Sequence, residues 1–117
     1  MAELADQMMK GLTGPNPDPD GFRIGRDALA ATSEDSLRVM VHALVSFDQR
    51  ANLPNIACPT LLIAGTEDTS APTPVMQKMA EKIPDATCVV LEGAGHLANL
   101  DQPGPFNEAM QTFLARL

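Results

Sequence analysis

Two side chains of this sequence have the types and placement to move a proton. His96 sits in Glu-Gly-Ala-Gly-His-Leu, directly after the apolar run Thr-Cys-Val-Val-Leu at 87–91. An imidazole titrates near neutrality and can act as an acid, a base or a ligand. Asp68 sits in Gly-Thr-Glu-Asp-Thr, directly after the apolar run Thr-Leu-Leu-Ile-Ala at 60–64. A carboxylate that accepts a hydrogen bond from one ring nitrogen fixes the tautomer and stabilises the imidazolium, leaving the other nitrogen as a base. Each residue also has an ordinary reading: Asp68 as a turn or cap residue, His96 as a packed ring. Glu67 is the alternative acid.

The elements that carry these residues have a parallel-sheet pattern. Residues 60–65 are apolar on both alternations, as in a strand covered on both faces. Pro74 suits the first turn of a helix, and Met76, Met79, Ala80 and Ile83 share one face of it before Pro84 ends it. Residues 87–93 form a second strand, and Phe106, Ala109, Met110, Phe113, Leu114 and Leu117 a last helical stripe. A strand, helix and strand in this order form a right-handed crossover, with both strands' carboxyl ends on one side. Neighbouring strands lie about 4.8 Å apart. Asp68 and His96, each three residues past its strand, can therefore touch.

Residues 1–52 differ in character. Leu4, Ala5, Met8, Met9 and Leu12 fit a short amphipathic helix. The stretch 11–25 is dense in Pro, Gly and Asp and is predicted to be a loop. Thr32 or Ser33 caps a helix with Glu34 and Asp35 in its first turn and an apolar stripe of Leu37, Met40, Val41, Leu44 and Val45 or Phe47. His42 within it is read as structural. Seven methionines, among them Met1, Met8, Met9 and Met40, suggest adaptable apolar surfaces in this half.

Composition excludes several function classes. With a net charge of −7 and no basic cluster, the 117-residue chain suits neither nucleic acid nor an anionic membrane. The start lacks the basic and apolar regions of a signal peptide, and no apolar run is long enough for a membrane span. Cys58 and Cys88 are not in a Cys-x-x-Cys pair and are read as buried free thiols in a reducing, cytoplasmic setting. Two separated histidines without metal-ligand spacing imply no metal, and no cofactor is expected.

Taken together, residues 53–117 resemble the C-terminal part of an α/β-hydrolase. The Pro-Thr-led strand ending in Gly-x-x-Asp, the Ile-Pro-x-Ala, and Gly-His followed by acidic-x-Pro and Phe carry the likeness; details look most like 3-oxoadipate enol-lactonases. The resemblance implies an α/β fold in which two parallel strands with flanking helices (53–117) follow a helical lid, or cap, segment (1–52) over an apolar pocket. It makes Asp68 the triad acid and His96 the general base. The family's nucleophile elbow, Gly-x-Ser-x-Gly, does not occur: the serines are Ser33, Ser36, Ser46 and Ser70, with Ser70 a loop hydrogen-bonder. The His-Gly oxyanion segment is also absent. The expectation is a portion of an ester or enol-lactone hydrolase, inactive alone, with a small ester or lactone as substrate of the complete enzyme. The alternative is a non-catalytic binding or assembly module derived from one. A bare six-residue strand edge further implies a homo-oligomer or a complementary chain.

Overall fold

The structure, a computed structural model, describes residues 1–117. Thr60–Gly65 (β1) and Ala86–Leu91 (β2) pair in parallel as a two-stranded sheet, with Leu61 opposite Thr87, Ile63 opposite Val89 and Gly65 opposite Leu91. Because strand side chains alternate, this register puts Leu61, Ile63, Val89 and Leu91 on one face. There Ile63, Val89 and Phe106 pack against buried Leu91, Ala94 and Ala98. Phe106 belongs to α6, Pro103–Leu114. The helix α4, Thr73–Lys82, which begins at prolines as expected, also packs against both strands. Leu62 and Ala64, on the other face, are buried.

Three expectations need correction here. β2 stops at Leu91 rather than Gly93, because Gly93 takes a φ of +76° that ends the extended run. The turn to His96 is correspondingly longer, and it is followed by a one-turn helix, α5, Ala98–Asp101. Cover of the strands is also incomplete. Val90 is 40% exposed, and a groove of about 390 Å³ opens along Leu61, Val89 and Phe113.

The third correction concerns 11–25, which is not a loop throughout. After α1, Ala2–Leu12, only a short connection remains before α2, Pro19–Ala31. Proline is tolerated at a helix start because its missing N–H needs no partner there. Asp18 caps the helix by accepting the Gly21 N–H at 2.8 Å. The glycines inside α2 serve contact: a Cβ on Gly21 would lie 1.8 Å from the Leu100 carbonyl oxygen, and one on Gly25 2.6 Å from Met9 Cε. Local propensity loses here to the close docking of α2 on α1 and α5. Met9 is fully buried between these elements.

Helix α3, Glu34–Ser46, starts as anticipated, with Ser33 accepting the Ser36 N–H at 3.2 Å. Its apolar stripe does not pack: Met40 is 57%, Leu44 72%, Val45 83% and Phe47 69% exposed, while Leu37 is half-buried. A 3₁₀ segment, Arg50–Asn55, then leads back to β1 and touches α4. Thirteen of 117 residues are buried. The radius of gyration, 15.4 Å, exceeds the roughly 13 Å of a close-packed domain of this length. No helix is long and apolar enough to cross a membrane.

Two of the helical glycines, Gly11 and Gly21, separate propensity from packing. A Cβ on Gly11 meets nothing within 4 Å, so Gly11→Ala is expected to stabilise the chain by about 0.5–1 kcal/mol. Gly21→Ala is expected to destabilise it by about 1–3 kcal/mol, since the obstacle is backbone. Urea unfolding checks both; a Gly21→Ala chain as stable as the parent contradicts the docking.

Candidate active site

The carboxyl ends of β1 and β2 are laced together before any functional side chain appears. The Thr66 N–H donates to the Leu91 carbonyl at 3.1 Å, the Glu67 N–H to the Ala94 carbonyl at 2.9 Å, and the Gly93 N–H to Thr66 Oγ1 at 2.8 Å. The approach requires Gly65, where a Cβ would lie 2.1 Å from the Ala94 oxygen. Two loops held this closely leave little freedom for the residues just beyond them.

Asp68 and His96 meet at this rim. His96 Nδ1 lies 2.9 Å from Asp68 Oδ2. The other carboxylate oxygen, Oδ1, accepts the Ser70 and Ala71 N–H groups at 2.8 and 3.0 Å. Asp68 is thus both the turn residue and the partner of the ring, so its two readings are one arrangement. Its side chain is 8% exposed, that of His96 43%. Burial works against the Asp68 charge, but the Ala71 N–H, the His96 ring, the Ser70 N–H and the imidazolium's attraction together outweigh it and hold the carboxyl below its ordinary 3.8. With Asp68 ionised, Nδ1 is the donor, and neutral His96 keeps the lone pair on Nε2.

The remaining candidates fall elsewhere. Glu67 contributes its backbone N–H, while its side chain is exposed. Ser70 acts through its N–H, not its hydroxyl. His42 lies exposed on α3. Both cysteines are free, but Cys58 is exposed rather than buried, because it lies on the uncovered approach to β1; burial pushes the half-buried Cys88 thiol up.

One residue carries more than its motif position indicates. Asp101, the acid of the acidic-x-Pro pattern, is 2% exposed, and its Oδ2 accepts the N–H groups of Gly14 and Gly95, each at 2.6 Å. Nothing in its sequence surroundings signals this, since both donors are backbone groups and Gly14 is remote in the chain.

A carboxylate and an imidazole brought to one rim by parallel strands define an α/β protein with a bonded carboxylate–imidazole pair at the strands' carboxyl ends, where such folds place their sites. The model of the alpha/beta hydrolase family matches residues 2–109, and the chain belongs to that family. It is 42% identical over 81 residues to a Pseudomonas syringae protein named as a carbamate hydrolase, RutD, covering 69% of this chain and 31% of that protein. It is 35% identical over 88 residues to 3-oxoadipate enol-lactonase 2 of Acinetobacter baylyi, covering 75% and 33%. The enol-lactonase from Burkholderia xenovorans LB400 superposes with a TM-score of 0.87 at 26% identity, over 98% of this chain and 45% of that one. For a thermophilic esterase from Thermogutta terrifontis the values are 0.86 and 25%, over 97% and 43%. The chain thus spans about a third of the length of these curated relatives.

Because the folded Asp68 pKa lies below 3.8, its contribution to stability is present above that pH and is lost as pH falls through the lowered value. The gap in Tm between the parent and Asp68→Asn should be widest at about pH 6 and shrink toward about pH 2. A gap that stays constant over this range contradicts the assigned bonds.

Proposed function

We propose that this chain supplies the acid and the base of an ester or lactone hydrolase. The observation that carries the reading is the 2.9 Å contact of His96 Nδ1 with Asp68, in a chain of a hydrolase family. In the complete enzyme a serine hydroxyl attacks the acyl carbon, His96 Nε2 takes its proton and returns it to the leaving group, and Asp68 orients the ring and balances the imidazolium. The serine and the oxyanion donors come from sequence outside these 117 residues. A small ester or enol-lactone is the favoured substrate, in keeping with relatives named enol-lactonase and esterase.

The division at residues 52 and 53 belongs to the same reading: α1 to α3 are the lid portion, and the exposed stripe of α3 faces what the lid covers. The free edge of β1 is where further strands pair, either from the rest of the enzyme or from a second copy of the chain. Losing a triad nucleophile costs on the order of 10⁶ in turnover, and without oxyanion donors even the residual rate of about 10³ over water is lost.

The purified chain is therefore expected to hydrolyse p-nitrophenyl acetate no faster than buffer. Adding the N-terminal two-thirds of a relative in trans is expected to give turnover that His96→Ala lowers by about 10³-fold or more. Hydrolysis by the chain alone that His96→Ala abolishes, or trans activity indifferent to His96, contradicts the proposal.

A further inference from the structure

The geometry points to Asp101 as a positioning residue for His96: its buried carboxylate clamps the turn that bears the ring to the segment joining α1 and α2. The inference rests on the reading of Asp68 and His96 as acid and base. An ionisable side chain at 2% exposure is costly to bury unless it is fully bonded. Asp101 Oδ1 is shut away from solvent with no donor on it. All of its bonding passes through Oδ2, to two backbone N–H groups at 2.6 Å, the short lengths of charge-assisted bonds.

What these donors belong to gives the clamp its meaning. Gly95 immediately precedes His96. Its N–H goes to Asp101, while the N–H of Leu97, immediately after, goes to the Leu12 carbonyl at 3.0 Å. His96 is therefore gripped on both sides. One grip is the carboxylate; the other is the last residue of α1. The second donor on Oδ2, Gly14, lies just beyond α1, so the same oxygen ties that connection to the turn. The fit is close enough to demand glycine at both ends: a Cβ on Gly95 would lie 2.6 Å from the Thr13 carbonyl carbon, and one on Gly14 1.9 Å from the Gly93 oxygen. Asp101 is itself held by α5, its N–H donating to the Leu97 carbonyl at 2.8 Å, and its carbonyl accepts the Asp18 N–H at 2.8 Å, at the start of α2.

An ion that only filled space here would be poorly chosen, since an apolar side chain avoids the desolvation cost. A carboxylate that draws two peptides onto one oxygen fixes the orientation of the Ala94–Gly95 peptide, as the Leu12 carbonyl fixes the His96–Leu97 peptide, and between them these two set the direction in which the ring leaves the backbone. The Asp101 side chain hydrogen-bonds to neither the ring nor Asp68. It acts through the backbone that presents them, and it makes α1 and the connection after it part of the base's support.

The test reads the tautomer of His96 by imidazole ¹⁵N–¹H NMR of the 117-residue chain, together with its Tm. In the parent, the neutral ring is expected to carry its proton on Nδ1. Asp101→Ala is expected to lower the ratio of Nδ1-protonated to Nε2-protonated ring about fivefold or more, the equivalent of one net hydrogen bond. Asp101→Asn keeps the shape and one accepting oxygen without the charge, so it should fold even where the alanine variant does not; it is expected to lower the ratio about twofold. Variants with a reduced Tm but the parent's tautomer overturn the inference, leaving Asp101 a purely structural clamp. A parent chain that lacks the Nδ1 proton overturns instead the acid–base reading on which it rests.

Discussion

One hydrogen bond, from the His96 ring to Asp68, depends on the register of two strands, and most of the chain's local chemistry serves that register. Gly65 opposite Leu91 sets the two departing loops level. The Thr66 and Glu67 N–H groups and the Thr66 hydroxyl then lock them together. A slip of one residue would turn the strand faces over and carry the carboxylate away from the ring. The apolar face of Ile63, Val89 and Leu91 under Phe106 opposes such a slip, so packing distant from the site holds the site's geometry.

The rim is built on backbone contacts that only small residues allow. Gly14, Gly65 and Gly95 each place a peptide where a Cβ would collide with another peptide. This crowding lets one carboxylate oxygen reach two N–H groups and brings α1 against the turn after β2. The amino-terminal helices thereby become part of the site's foundation, although their residues carry none of its chemistry. Elsewhere the chain is open. The uncovered stripe of α3 and the groove beside α6 leave apolar surface of the kind that marks contact with further protein.

Much of this was legible in the residues. The two apolar runs at 60–65 and 87–91 and the prolines around α4 marked the crossover, because buried parallel strands and helix starts have strong local signals. Asp68 and His96 were legible for the same reason: each follows a strand end. The start of α2 was not, since Gly21 and Gly25 have poor helix propensity and are placed by docking onto Leu100 and Met9, a long-range cause. Nor was the exposure of α3, whose stripe has the period of a buried helix; a pattern states which face is apolar, not what covers it. Asp101 was visible as a motif residue, but its partners are backbone groups, which leave no trace in composition or spacing.

Asp68 and His96 form a bonded pair in the folded chain. A double-mutant cycle on unfolding free energy, using Asp68→Asn, His96→Gln and the double variant at neutral pH, measures that coupling directly. The structure implies an interaction of about 0.5–2 kcal/mol between them. Strictly additive single effects, with no coupling beyond error, would contradict it.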